Sequence, residues 1–228
     1  LTSISYCYGG YVFAAVNTLN NLSTAIWLPA ILWSFNRARL TQSKSGYCLT
    51  VIFLSLAILG GEPQLFILIT AILFFYSVTS IPEGSLSNAM KFKYGMVVVL
   101  MVISAILITM AQLGHTFTDY QHSARLGGLT YEEASKFSLS FAMLKHLLLP
   151  LHFSEGFSGA TEVLRNFFPG QGDVPWLLTI YPGIIIFPLA ILGTIYSFSK
   201  RNFLWPIIFL MSILFALGDN TFVHYLFY

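Results

Sequence analysis

Glu62 is the residue of this chain whose surroundings most invite chemistry. It stands in the turn Gly60-Gly61-Glu62-Pro63-Gln64, between the apolar runs 47–61 and 64–81. A carboxylate there is costly unless it reaches water or a polar partner. At about 1.5 Å per residue, helices over these two runs measure roughly 22 and 27 Å. That is short for a hydrocarbon core about 30 Å thick. The turn is therefore expected below the outer surface, inside a cavity. A solvated hairpin turn at the lipid headgroups accounts for the same residues. Pro63 suits the first position of the following helix, so Glu62 and Gln64 flank a helix N-terminus able to face an anion.

Two further groups of polar residues stand out. Asn17, Thr18, Asn20, Asn21, Ser23 and Thr24 crowd the middle of the run 10–35. Amides and hydroxyls inside an apolar helix serve helix–helix hydrogen bonding or line a wet groove, and packing is the preferred reading. The stretch 114–175 carries His115, Asp119, His122, Arg125, Glu132, Glu133, Lys145, His146, His152 and Glu155. An arginine near carboxylates binds phosphate or organises a loop through ion pairs. Thr130-Tyr131-Glu132-Glu133 reads as a capping box, with Thr130 as N-cap and Glu133 at the third helical position. Asp219 follows Gly218 and is expected to cap what comes next. His146 and His152 are poorly spaced for one helical face, and no C-x-x-C or H-x-x-x-H spacing occurs. No metal site and no cofactor are read from the sequence. Cys7 and Cys48 are expected at opposite ends of neighbouring spans, and no disulfide between them is expected.

The elements that must position these residues follow from composition. Charged residues make up 9% and hydrophobic residues 56% of the 228, against about 25% charged in typical globular proteins. Eleven basic and nine acidic residues cannot cover a soluble domain of this size. The net charge of +2 is too small for a nucleic-acid footprint. The reading is all-α: a polytopic transmembrane helix bundle of about six spans, at 10–35, 47–61, 64–81, 94–113, 176–198 and 203–218, since lipid tolerates helices and closed barrels and these runs lack dyad alternation.

Basic residues orient the spans. Arg37, Arg39 and Lys44 fall between spans one and two, Lys91 and Lys93 between three and four, and Lys200 and Arg201 between five and six. One topology puts all seven in the cytoplasm. The segment 114–175, with four basic and six acidic residues, then lies on the extracytoplasmic side. It is expected to hold one or two amphipathic helices at the membrane surface, followed by a glycine-rich loop anchored by Phe153, Phe157, Phe167 and Phe168. Residue 1 is Leu and no basic n-region precedes an apolar stretch, so a processed start or a fragment of something longer is expected.

With those residues in view, the sequence resembles the bacterial YfhO-like membrane proteins, large multi-span proteins related to the GT-C class of glycosyltransferases. NNLSTAIWLPAILWSF followed by Arg37 looks like the family's amide-rich helix leading to Leu-Pro and a basic turn. Gly61-Glu62-Pro63-Gln64 is similar to its G-H-P-Q turn, with Glu where His is usual. SARLGGLTYEEASKFSL is close to its S-x-R-x-G-L-S-Y-E-E-A segment, and Leu-Leu-Pro follows at 148–150. Ala216-Leu217-Gly218-Asp219-Asn220-Thr221 resembles its A-L-G-x-x-T-P turn, with Phe222 replacing Pro.

The resemblance implies a place in the bacterial cytoplasmic membrane and transfer of a sugar from a polyprenyl-phosphate carrier to an acceptor on the outer face. It implies that this chain matches a central portion of such proteins, without the external loop that carries the catalytic carboxylate. Arg125 matches the family's Arg position and is the best cation for the departing phosphate; Lys145 is second. Glu132 and Glu133 fit helix capping better than catalysis. Two other classes compete. A non-catalytic structural or accessory subunit of a larger membrane complex suits the low charge and the 16% aromatic content. A transporter would use the split hairpin 47–81, but no repeated half is visible.

Overall fold

Pro29 divides the first apolar run. The computed structural model describes residues 12, 15–16, 18–79, 88–123, 127–128, 130–135, 138–149, 181–182, 186–199, 204–222 and 225. The run expected as one span over 10–35 forms α1 (Leu19–Ala25) and α2 (Leu28–Thr41), which extends past the expected end. Pro29 has no N–H for the Ala25 carbonyl, and its ring crowds that carbonyl, so one continuous helix cannot pass. Within the first turn of α2 the missing donor costs nothing.

The pair expected at 47–61 and 64–81 appears as α3 (Lys44–Leu59) and α4, which begins at Pro63 (Pro63–Thr79). α5 (Asn88–Ile108) starts before the expected 94–113 span and stops short of its end. The chain bends at Thr109 and continues as α6 (Met110–Gln121). Thr109 Oγ1 donates to the Ala105 carbonyl at 2.9 Å, which the Thr109 backbone N–H also uses at 3.1 Å. Such competition bends helices. α6 was not expected from the sequence, although Met110, Leu113, Phe117 and Tyr120 recur at helical spacing along one side.

Five basic residues expected in connections lie on helices instead. Arg37 and Arg39 belong to α2, Lys44 opens α3, and Lys91 and Lys93 lie in the first turns of α5. The α2–α3 connection is only Gln42-Ser43, because Gln42 turns the chain in the left-handed region (φ 51°). Its side chain secures the turn by donating to the Arg39 carbonyl at 2.6 Å and to the Tyr94 hydroxyl at 3.2 Å.

Helices α1–α6 belong to one compact unit, Thr18–Leu126. Successive helices α2 to α5 alternate in direction. The edge contacts of Phe35 with Tyr47 and Tyr76, and the Gln42–Tyr94 bond, bring the end of α2, the start of α3, the end of α4 and the start of α5 to one end. The core is Ile31, Phe35, Leu54, Ala57, Ile69, Leu73, Val98, Met101 and Ala105. Small residues set the α2–α3 crossing: a Cβ on Gly46 would lie 2.7 Å from Ala38 Cβ. Buried hydroxyls accompany the core. Ser34 and Thr50 share a hydrogen bond at 3.0 Å, and Ser55 and Ser77 donate to carbonyls of their own helices. The outer face is apolar, with Ile67 66% and Leu107 62% exposed.

The second unit comprises Leu1–Asn17 and Gly127–Tyr228. Its described elements are α7 (Tyr131–Ala134), a 3₁₀ turn Phe141–Leu147, α8 (Ile186–Ser199), α9 (Leu204–Ala216) and a 3₁₀ turn Gly218–Asn220. A helix expected to run on from Tyr131 stops after one turn. Ser135 and Ser138 side chains take the Glu132 and Ser135 carbonyls, and the Leu139 N–H donates to the Ala216 carbonyl at 2.8 Å. The spans expected at 176–198 and 203–218 correspond to α8 and α9, with 176–180 and 183–185 outside the described residues.

Among the described residues every regular element is helical. One helix is long and apolar enough to cross a membrane, over Ala89–Ile108; α3, α4 and parts of α8 and α9 are shorter apolar helices.

Candidate functional site

Two glycines deliver Glu62 to its place. At Gly60 the backbone of α1 lies so close that a Cβ would sit 2.6 Å from Thr24 N and 2.8 Å from Ser23 C. Gly61 adopts φ +84°, open to glycine and strained for other residues. The turn therefore presses against α1, and Asn20 Nδ2 donates to Glu62 Oε2 at 3.0 Å. The Glu62 carbonyl accepts from Phe66 N at 3.1 Å and starts α4. A carboxylate just before a helix is also favoured by the positive end of the helix dipole.

This geometry changes the anion reading of the turn. The residue immediately before α4 is itself an anion, so the α4 N-terminus has its own chain's negative charge beside it. Gln64 is exposed on the first turn of α4. Of the amide-rich group, Asn20 makes the bond to Glu62, while Thr24 is fully buried with Oγ1 lacking a hydrogen-bond partner. Asn17 lies outside the described residues.

The second cluster lies in the other unit. Tyr131 Oη donates to Asp219 Oδ1 at 3.0 Å, and the Asp219 backbone N–H donates to Ser138 Oγ at 2.9 Å. Asn220 Nδ2 donates to the Leu139 carbonyl at 3.0 Å. Gly218, at φ +47°, sits against the Ser138 side chain, where a Cβ would collide with Oγ. Thr221 Oγ1 closes the end of α9 by donating to Leu214 O at 3.1 Å. Tyr131 also meets the Tyr225 ring edge-on at 6.0 Å. Accepting the phenol's hydrogen, the Asp219 carboxylate raises the Tyr131 pKa above its ordinary 10.0.

Asp219 thus does not act as a simple cap; it ties α7 to the turn after α9. Thr130 stands immediately before α7, and Glu132 is exposed on it. The Glu133 side chain and the whole of Arg125 lie outside the described residues, as do His152 and Glu155. Lys145 is exposed on the 3₁₀ turn, whose end its carbonyl closes by accepting from Leu148 N and Leu149 N. Tyr131, Ser138 and Asn220 were not singled out from the sequence. The available signal was a tyrosine within one motif segment and an aspartate within another, with nothing to say that the two segments meet.

Chemically, Glu62 and Asp219 are hydrogen-bond acceptors with a donor already supplied, Asn20 in one case and Tyr131 in the other. Among the described residues no group of three or more His, Cys, Asp or Glu side chains is placed to hold a metal ion. The chain matches no protein-family model, no curated protein and no solved structure.

Proposed function

We propose that the chain is the central portion of a polytopic membrane protein that transfers a sugar from a polyprenyl-phosphate carrier to an acceptor on the outer face of a bacterial cytoplasmic membrane. The observation that carries this reading is the Tyr131–Asp219 hydrogen bond. It joins two of the segments that resemble the YfhO-like proteins, SARLGGLTYEEA and ALGDNT, as expected if they build one working surface. The Asn20–Glu62 bond joins the other two in the same way.

Several features support a membrane setting with six spans: α1–α2, α3, α4, α5, α8 and α9. Only 28% of the apolar window in α5 is buried, whereas the core helix of a soluble protein would be mostly covered. The first unit buries hydroxyls and exposes Ile, Leu and Phe, the pattern suited to a lipid surround. Arg37, Arg39, Lys44, Lys91 and Lys93 share one end of that unit. Lys44 and Lys91 sit in the first turns of α3 and α5, against the helix dipole, so helix electrostatics does not explain them and a cytoplasmic placement does. The stripe on α6 fits a helix lying at the opposite interface.

In this reading Arg125 neutralises the departing phosphate, and Glu62 and Gln64 line the cavity wall. The base for the acceptor hydroxyl comes from outside the chain. The test is transfer from a lipid-linked sugar by the full-length protein in membrane vesicles. Arg125→Ala is expected to abolish transfer at unchanged membrane level; unaltered transfer would remove Arg125 from the site and reject the assignment.

A second reading, a non-catalytic accessory subunit, is favoured by one observation. α8 and α9 enclose an apolar groove of about 550 Å³ lined by Phe187, Ile191, Thr194, Trp205 and Phe209, which suits a lipid or a partner helix. Co-purification in fixed stoichiometry with other subunits, without activity on lipid-linked sugars, would favour it.

A further inference from the structure

Among the described residues, the basic end of the first unit contains a buried charge without a counter-charge. Arg39 is only 8% exposed. Its Nη2 donates to Asn36 Oδ1 at 3.0 Å, and its guanidinium carbon lies 5.5 Å from the centre of the Tyr76 ring. Nη1 is buried and has no hydrogen-bond partner. No carboxylate meets it among the described residues. A guanidinium carries a delocalised positive charge and five N–H donors. Leaving such a charge buried and unpaired is strongly unfavourable. The Tyr76 ring face and the Asn36 amide oxygen offset part of that cost, and neither brings a negative charge.

The surroundings indicate what completes it. Gln42 donates to both the Arg39 carbonyl and the Tyr94 hydroxyl, which holds Tyr94 beside the turn with its own O–H hydrogen available. Arg37, Lys44, Lys91 and Lys93 add positive charge at the same end, and no acidic residue accompanies them among the described residues. Arg37 itself lies over the Trp33 ring at 5.4 Å. The complement is an anion with several acceptor oxygens, and a phosphate matches the planar guanidinium fork. Its carrier is apolar, because Leu40, next to Arg39, is 68% exposed and Phe92, between the two lysines of α5, is 71% exposed.

We propose that Arg39, with the Tyr94 hydroxyl, anchors the phosphate of an anionic lipid headgroup at this end of the helix bundle. The site is independent of sugar transfer and rests only on the membrane reading. Basic pockets between helices on the cytoplasmic side are suited to such headgroups. Nη1 has no solvent exposure, so the phosphate oxygen enters by displacing side chains at the bundle end.

The test uses the full chain, purified in neutral detergent and stripped of lipid. Native mass spectrometry then measures binding of phosphatidylglycerol against phosphatidylcholine, with inorganic phosphate as a competitor. The unaltered chain is expected to prefer phosphatidylglycerol by about tenfold or more, equivalent to about 1.4 kcal/mol. Arg39→Gln is expected to abolish the preference, and Lys93→Gln to change it less than about twofold, since an exposed lysine contributes only a screened charge. Should Arg39→Gln fail to fold, Arg39→Lys keeps the charge without the fork and is expected to weaken the preference several-fold. A preference unchanged in Arg39→Gln, or in Arg39→Lys, overturns the proposal. Displacement of the lipid by millimolar inorganic phosphate overturns the lipid assignment and identifies a site for free phosphate. Neither outcome bears on sugar transfer, which is read separately in vesicles.

Discussion

Asn20 on α1 donates to the Glu62 carboxylate at 3.0 Å, across 42 positions of sequence. The bond fastens the α3–α4 turn to the helix that enters the bundle first. Asn20 is exposed and Glu62 half-buried, so its net worth is modest, about 0.5–1.5 kcal/mol. Asn20→Ala and Glu62→Ala are each expected to lower thermal stability in detergent by that amount. The double variant is expected to cost less than the sum, since the second change removes a partner already lost. Additive losses in a double-mutant cycle would mean that the two side chains do not interact.

Gly60 tests how tightly that turn seats. Its Cβ position is filled by Thr24 backbone, at 2.6 Å from Thr24 N. Gly60→Ala must force the turn off α1 and is expected to cost about 2–3 kcal/mol, in the range of overpacking a tight contact. Gly114 on α6 provides the contrast, with open space at its Cβ. Gly114→Ala is expected to stabilise by about 0.5–1 kcal/mol through helix propensity alone. Thermal unfolding of the two variants in one detergent decides it; equal effects would contradict the packing at Gly60.

The Tyr131–Asp219 pair carries a pH signature. The phenol donates to the carboxylate, so the neutral phenol is favoured in the folded chain and its pKa lies above 10.0. Unfolded, the phenol releases its proton first, near 10.0, and from there the unfolded state binds fewer protons. The stability this bond contributes is therefore fully present below pH 10.0 and is lost as pH rises through the folded value. The difference between phenolate absorbance titrations of the unaltered chain and Tyr131→Phe isolates this phenol among the 12 tyrosines. Asp219→Ala is expected to bring its midpoint down towards 10.0. A midpoint unmoved by Asp219→Ala would exclude the bond in solution.

Much of the helix pattern was legible because apolar runs and prolines act locally. Pro63 fixes the start of α4 without help from the rest of the chain. Pro29 carries the same kind of information inside the run 10–35, yet a proline near a helix start and one that breaks a helix look alike until the carbonyl four residues earlier is considered. The bend at Thr109 was less visible, since a threonine inside an apolar run usually continues the helix, and its hydroxyl competes for Ala105 O only in one rotamer. Glu62 was recognisable as a costly charge. Its partner Asn20 was one of several amides, and only the close approach at Gly60 selects it. The Tyr131–Asp219 pair was not legible because 88 positions separate its members. In the sequence Arg39 looks like a loop charge because a basic residue after an apolar run usually ends a span, whereas α2 continues to Thr41.

That extension of α2 sharpens the test of orientation. Arg37, Arg39, Lys44, Lys91 and Lys93 gather where the α2–α3 turn meets the start of α5, an arrangement held by the Gln42–Tyr94 bond. If that end faces the cytoplasm, a thiol at exposed Thr41 lies inside the cell. A thiol at exposed Gln121, the last residue of α6, lies outside, since the chain crosses once more through α5 before reaching it. In a Cys7→Ser, Cys48→Ser background, Thr41→Cys is expected to react with an impermeant maleimide only in inverted vesicles. Gln121→Cys is expected to react only in intact spheroplasts. Cys48, exposed on α3 and unpaired, must be removed first because it would report from the flank of the bundle. Exchange of the two patterns would reverse the orientation and place the Arg39 end on the outer face. Labelling of both thiols from one side would mean that α5, the longest apolar helix among the described residues, does not cross the membrane.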